Sequence, residues 1–292
     1  MSSSRPRRSV LYVPGANPRA IDKALSLAAD VVILDLEDAV APSEKADARA
    51  RVADLLAKPR SPHGPEVIVR VNALASGFGR ADLAEILPAA PDGVLVPKVA
   101  SAADLAAIRR VASGILPALR LPLWAMIETA RAVADPLAIA LDRDEAMPLV
   151  ALVLGLNDLA VETGARQLPG RAPMLPWLMA VLAAGRAGGL DIVDGVFNNL
   201  RDAPGFEAEC RQGRDCGFDG KSLIHPHQID IANHCFAADP EELAFARRIA
   251  DLFDEPTNAG LGVVAFEGRM VERLHAEAAK RLIARVAVID RR

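Results

Sequence analysis

Residues 31–38 read Val-Val-Ile-Leu-Asp-Leu-Glu-Asp, and this stretch decides the fold. A strand with one face in water alternates apolar and polar residues. Here 31–34 are all apolar and Leu36 follows, so a strand over 31–36 is buried on both faces, as in a parallel sheet under helices. Similar short runs lie at 10–13, 67–71, 93–96, 123–127, 149–154, 192–197 and 220–224. Helical patterns fill gaps between them, at 18–29, 43–56, 101–112, 175–188 and 205–216. The first has Asn17 as N-cap and Pro18 at the first helical position, and Ser101 is a second cap candidate. Strand spacings of roughly 20 to 35 residues suit βα units. Eight such units predict an α/β chain folded as a closed (β/α)8 TIM barrel rather than a doubly wound sheet.

The chain continues well past the eighth run. Residues 240–253 and 269–286 read as helices, and 262–266 as a short strand after a turn-rich break. A barrel needs only one closing helix. The expected division is therefore a barrel domain over 1–238 and a C-terminal helical extension over 239–292, free to pack on a neighbouring subunit.

The length of 292 residues suits a barrel of about 250 residues with such an appendage. The chain is 51% hydrophobic and 25% charged, enough to bury a sizeable core. Its 34 Lys and Arg against 38 Asp and Glu give a net charge of −4, which argues against a nucleic-acid surface. No apolar run approaches the ~20 residues of a membrane span. The basic opening MSSSRPRRS is followed only by the short apolar run 10–13, and charge returns at Arg19, so no secretory core follows it. Cys210, Cys216 and Cys235 read as free thiols, which points to the cytoplasm. The glycine patterns of P-loops, dinucleotide folds and serine-hydrolase elbows do not occur.

Barrel enzymes work at the C-terminal ends of their strands. The residues expected there are Asp35, Glu37 and Asp38 after strand two, Arg70 and Asn72 on strand three, and Lys98 after strand four. Glu128 follows strand five, Asn157 and Asp158 strand six, with Asp194 on strand seven and His225 after strand eight. One carboxylate at a strand end can simply cap a helix or pair with an arginine. Several acids with an Arg and a Lys at one mouth are better resolved by a cation, and carboxylate oxygens plus waters suit Mg2+. Glu128 and Asp158 end adjacent strands and are the expected shared ligands. Lys98 reads as an ion-pair partner of these acids in preference to a Schiff-base lysine. His225 and His227 lack zinc-site spacing.

Six segments carry a family resemblance: RSVLYVPGANPR at 8–19, LDLEDAVAPSEKADAR at 34–49, VRVNAL at 69–74, MIETA at 126–130, GFDGKSLIHPHQI at 217–229 and GLGVV at 260–264. In this order they resemble the citrate lyase β-subunit-like family, which includes malyl-CoA and citramalyl-CoA lyases and is related to the phosphoenolpyruvate/pyruvate-binding barrels. The resemblance runs over nearly the whole chain. It implies a Mg2+-dependent homotrimer or hexamer acting on the CoA or acyl-carrier-protein thioester of a 3-hydroxy acid. Glu128 and Asp158 match the family's metal ligands, and Arg70 its substrate-binding arginine. Glu37 and Asp38 match acids around the metal's water shell. Arg19 and Lys23 fall in the segment that meets CoA phosphates. The family's late Gly-Lys-Met-Ile-Asp, whose Asp is the acid/base given by a neighbouring subunit, reads here Gly268-Arg269-Met270-Val271-Glu272. Glu272 keeps the carboxyl and adds a methylene.

Together these predict a carbon–carbon lyase. It would cleave a 3-hydroxyacyl-CoA such as (S)-citramalyl-CoA or malyl-CoA to acetyl-CoA and a 2-oxo acid, with Mg2+ and no organic cofactor. Arg70 would stabilise the enolate and Glu272 protonate it. The alternatives are a citryl-acyl-carrier lyase β subunit, an acyl-CoA thioesterase of the same family, and a non-catalytic CoA-ligand-binding protein.

Overall fold

The computed structural model of the chain describes residues 5–289; the first four residues of the basic opening lie outside the described residues. Eight parallel strands run in chain order: β1 (Ser9–Pro14), β2 (Val31–Asp35), β3 (Glu66–Arg70), β4 (Gly93–Val96), β5 (Leu123–Ile127), β6 (Leu149–Leu154), β7 (Asp191–Asp194) and β8 (Gly220–Leu223). Each pairs with the next, and β1 pairs with β8, closing the barrel. The α/β barrel expected from the apolar runs is therefore the observed fold.

The double-sided burial of β2 has a simple cause. Val31 and Ile33 point into the barrel with Val10, Ile68, Leu95, Trp124 and Val153. Val32 and Leu34 point outward into the larger layer shared with the helices. Continuing the alternation, Asp35 and Arg70 follow Ile33 and Ile68 on the inner face, and the β2–β3 register sets them opposite each other. At the other end the barrel is closed by buried Arg7. Its guanidinium bonds both oxygens of Glu66 at 2.8 and 2.9 Å and Asp191 at 2.7 Å, and lies 4.5 Å from the centre of the Trp124 ring.

Asn17 caps the helix Pro18–Leu25, accepting the Ala20 N–H, and Ser101 with Asp104 forms a capping box at Ala102–Ile115. Some expectations need correction. The first helix ends at Leu25 rather than 29. β7 stops at Asp194 instead of running to 197: the Asp194 carboxylate accepts the Gly195 N–H, and Lys221 takes the Gly195 carbonyl, which draws the backbone out of the ladder. Helices at Gly79–Ile86, Leu156–Thr163 and Ile229–Cys235 go beyond those read from periodicity.

The chain divides into two compact units, with the break after Phe236. The second unit has its own core of Ala246, Ile249, Leu252, Phe253, Val271, Ala276 and Ala279. Residues 269–272, expected as the start of a helix, form a strand. β9 (Val263–Phe266) and β10 (Arg269–Glu272) make an antiparallel hairpin. Its two-residue turn, Glu267-Gly268, has φ of 48° and 75°, the doubly left-handed geometry such hairpins require. The last helix begins only at Arg273. On this helix Leu274 and Ala278 are exposed, and Ala276 and Ala279 are buried.

Candidate active site

The expected mouth residues Arg70, Glu37, Asp38, Lys98, Glu128 and Asp158 form one charged cluster. Arg70 is its anchor. Nε and Nη2 grip the two oxygens of Asp35 at 2.7 and 2.6 Å, and the guanidinium lies over the Tyr12 ring. Asp35 also accepts the N–H groups of Glu37 and Ala39, so one carboxylate fixes both the arginine and the loop after β2. The third nitrogen of Arg70, Nη1, donates to Met126 Sδ at 3.5 Å and reaches Glu37 at 3.1 Å and Asp38 at 3.7 Å. Burial would lower the Arg70 pKa, but the hydrogen bonds and charge of Asp35, followed by Tyr12 and Glu37, hold it above the ordinary arginine value.

Lys98 makes the ion pair expected of it, with Nζ 2.9 Å from Glu37, 3.6 Å from Asp38 and 3.8 Å from Asp158. Burial would lower its pKa, but the three acids outweigh this and hold it above the ordinary lysine value. An amine so charged is a poor Schiff-base nucleophile. Glu37 lies between both cations, yet burial keeps its carboxyl above the usual carboxylate range.

Glu128 is 1% exposed. Its Oε1 accepts the Lys98 backbone N–H at 2.7 Å, and its Oε2 is buried with no hydrogen-bond partner among the described residues. Burial pushes the carboxyl up to about 8; the Lys98 N–H opposes this, and Glu37 and Asp158 add to it. Space for the carboxylate is made by Gly155, where a Cβ would stand 2.4 Å from Oε2. Glu128 and Asp158 line one cavity of about 400 Å³ with Lys98, Thr129, Asn157 and Glu162. No three Asp, Glu, His or Cys among the described residues form a cage for an ion. Mg2+ does not need one, because it keeps several waters and takes one or two carboxylates. A buried carboxylate with an unpartnered oxygen, beside a second acid, fits that demand, and a cation there would reverse the upward shift.

The other expected residues fall elsewhere. Asn72 is structural, bonding the Leu36 carbonyl and Asp82. Asp194 is fully buried and locked by Lys221 at 3.0 Å and Arg171 at 2.7 Å, so it is an internal ion pair and not a mouth acid. His225 accepts the His227 N–H, and the two rings lie tilted at 44° with centres 4.2 Å apart. Arg19 and Lys23 are exposed on the helix after β1. Glu272 ends β10 in the second unit, partly exposed, its N–H bonded to His275 Nδ1. Asn157 beside Asp158 was expected, whereas sequence reasoning missed Gly155 and the amides of Asn198 and Gln167 that hold Asn157. Asn157 bonds both Asn198 and Gln167, and these two border a second cavity of about 590 Å³ that Met174, Phe197 and Arg171 also line. The Gly before Leu156-Asn157-Asp158 was the available signal for the first of these.

Known proteins are similar along almost the whole chain. A (3S)-malyl-CoA thioesterase of Cereibacter sphaeroides is 46% identical over 287 residues, covering 98% of this chain and 96% of that one. The citrate lyase subunit beta of Escherichia coli is 33% identical over 287 residues, covering 97% and 94%. Among solved structures, protein CitE from Mycobacterium tuberculosis in complex with magnesium, acetoacetate and coenzyme A superposes with a TM-score of 0.75. It is 30% identical and covers 98% of this chain and all of that one. Residues 8–226 match the HpcH/HpaI aldolase/citrate lyase family, to which the chain belongs.

Proposed function

We propose that this protein is a Mg2+-dependent enzyme that hydrolyses the CoA thioester of a 3-hydroxy acid of the malyl-CoA kind. The observation that carries the reading is the buried, unpartnered Oε2 of Glu128 beside Asp158 in a cavity next to anchored Arg70. The 46% identical malyl-CoA thioesterase moves the preference from carbon–carbon cleavage to hydrolysis.

Glu128 and Asp158 would hold Mg2+, which when bound supplies Lewis-acid polarisation of a substrate oxygen. Arg70, fixed from behind by Asp35, turns Nη1 toward the acids at the mouth and stabilises negative charge developing on the thioester oxygen. Glu37 and Asp38 order water beside it. Glu272 takes a proton from the attacking water and returns it to the departing thiolate. Arg19 and Lys23 receive the CoA phosphates. The assembly proposed is a trimer or hexamer in which Glu272 of one subunit serves another's barrel. Co-expressing Glu272→Gln with Glu128→Ala tests this, since each is expected to be inactive alone. Partial activity in verified hybrids supports the exchange, and inactive hybrids oppose it.

The carbon–carbon lyase is the second reading, favoured by the 33% identity to citrate lyase beta subunits. The same Mg2+ site and Arg70 would serve it, with Glu272 protonating the acyl-CoA enolate. Incubation with Mg2+ and a panel of 3-hydroxyacyl-CoA thioesters separates the two. Free thiol without a 2-oxo acid supports hydrolysis, whereas acetyl-CoA with a 2-oxo acid means lyase.

A further inference from the structure

Lys98 follows Pro97 at the end of β4 and has φ of +52°, in the left-handed region that non-glycine residues rarely enter. Such a conformation persists only where its surroundings impose it, and it clusters at functional sites. Here the left-handed turn points the Lys98 N–H at Glu128 Oε1, at 2.7 Å. Among the described residues no other hydrogen bond reaches that carboxylate, and Oε2 is left without a partner. The side chain of Lys98 returns over the same cavity to Glu37, Asp38 and Asp158.

We propose that Lys98 is a positioning residue that sets the metal site through its main chain. Its left-handed backbone delivers the N–H that holds Oε1 and thereby presents Oε2 to the cation. The inference rests on the proposed Mg2+ site at Glu128 and Asp158. The main chain and the ammonium have separable effects. The N–H aims a ligand, while the ammonium is a like charge near the cation and does not help it bind.

Two substitutions divide them. Lys98→Gly and Lys98→Val both remove the ammonium. Glycine takes φ of +52° without cost and a β-branched residue does not. Titration with Mg2+ alone, read by calorimetry and by the shift in melting temperature, is the measurement. The inference predicts that Lys98→Gly binds Mg2+ as tightly as the wild type or more tightly, and that Lys98→Val binds about tenfold or more weakly. Lys98→Ala, which has one methyl in place of the branched side chain, falls between them and keeps the series readable if the valine variant does not fold. Equal weakening in the glycine variant and in the alanine or valine variant assigns the effect to the lost ammonium and overturns the inference. Unchanged affinity throughout the series also overturns it. A wild-type protein that binds no Mg2+ overturns the metal-site reading itself, a result distinct from wild-type binding with no difference among the variants.

Discussion

Replacing Gly155 with alanine tests the geometry of the Glu128 carboxylate. Gly155 has φ of −102°, which any residue adopts, so the substitution carries no conformational penalty of its own. Its effect comes through space. The new Cβ would stand 2.4 Å from both Cβ and Oε2 of Glu128, and ordinary contact starts at 3.4 Å, so the pair must part by about 1 Å. The backbone offers little relief, because Gly155 N–H is bonded to the Ile127 carbonyl at the joined ends of β5 and β6. The carboxylate therefore moves. A misplacement of ~1 Å at a reacting group costs about 10²-fold in rate. The assay is Mg2+-dependent thiol release from an acyl-CoA, with Mg2+ affinity by calorimetry and urea unfolding as the check on the fold. Gly114→Ala is the control: nothing lies within 4 Å of its Cβ, and in a helix it is expected to add about 0.5–1 kcal/mol of stability. Wild-type turnover and Mg2+ affinity in Gly155→Ala would refute the placement of Oε2 at the metal.

Arg70→Lys keeps the charge but cannot hold Asp35 with two nitrogens while offering a third to the mouth; kcat should fall about 10²-fold with a smaller change in KM, and a change confined to KM would move Arg70 to ground-state binding. Arg7→Met removes the cation that Glu66 and Asp191 share at the closed end of the barrel, and urea unfolding should show a loss of about 3–5 kcal/mol with the active site unaltered in a folded sample. Asp194 supplies a pH test of the fold. Burial would raise its pKa, but Lys221 and Arg171 hold it below the ordinary value. Its stabilising contribution is therefore complete above the unfolded value of about 3.9 and is lost as pH falls through the lower folded one. The gap in urea midpoint between wild type and Asp194→Asn should stay constant above about pH 5 and narrow in acid. A gap that widens in acid would contradict the sign.

Much of the barrel was legible because burial on both faces of a strand writes itself into consecutive apolar residues, as at 31–34. Once the strands were placed, the C-terminal ends gave Arg70, Glu37, Lys98, Glu128 and Asp158 together. Asp194 was misplaced because nothing in its local sequence announces Arg171 and Lys221, which come to it from 23 and 27 positions away. The hairpin before the last helix was overlooked because Arg269–Glu272 has helix-compatible composition; the turn Glu267-Gly268 was the stronger signal. The left-handed backbone at Lys98 and the free oxygen of Glu128 have no sequence signature. They arise from the packing of β4, β5 and the glycine after β6.

The most direct test of the central claim is to incubate the protein with (3S)-malyl-CoA, with Mg2+ or after rigorous chelation, and to follow free thiol and 2-oxo acid in parallel. The account predicts thiol and malate in Mg2+, no 2-oxo acid, no release after chelation, and no release by Glu128→Gln in either condition. Thiol release that survives chelation, or acetyl-CoA and a 2-oxo acid in equal amounts, would contradict it.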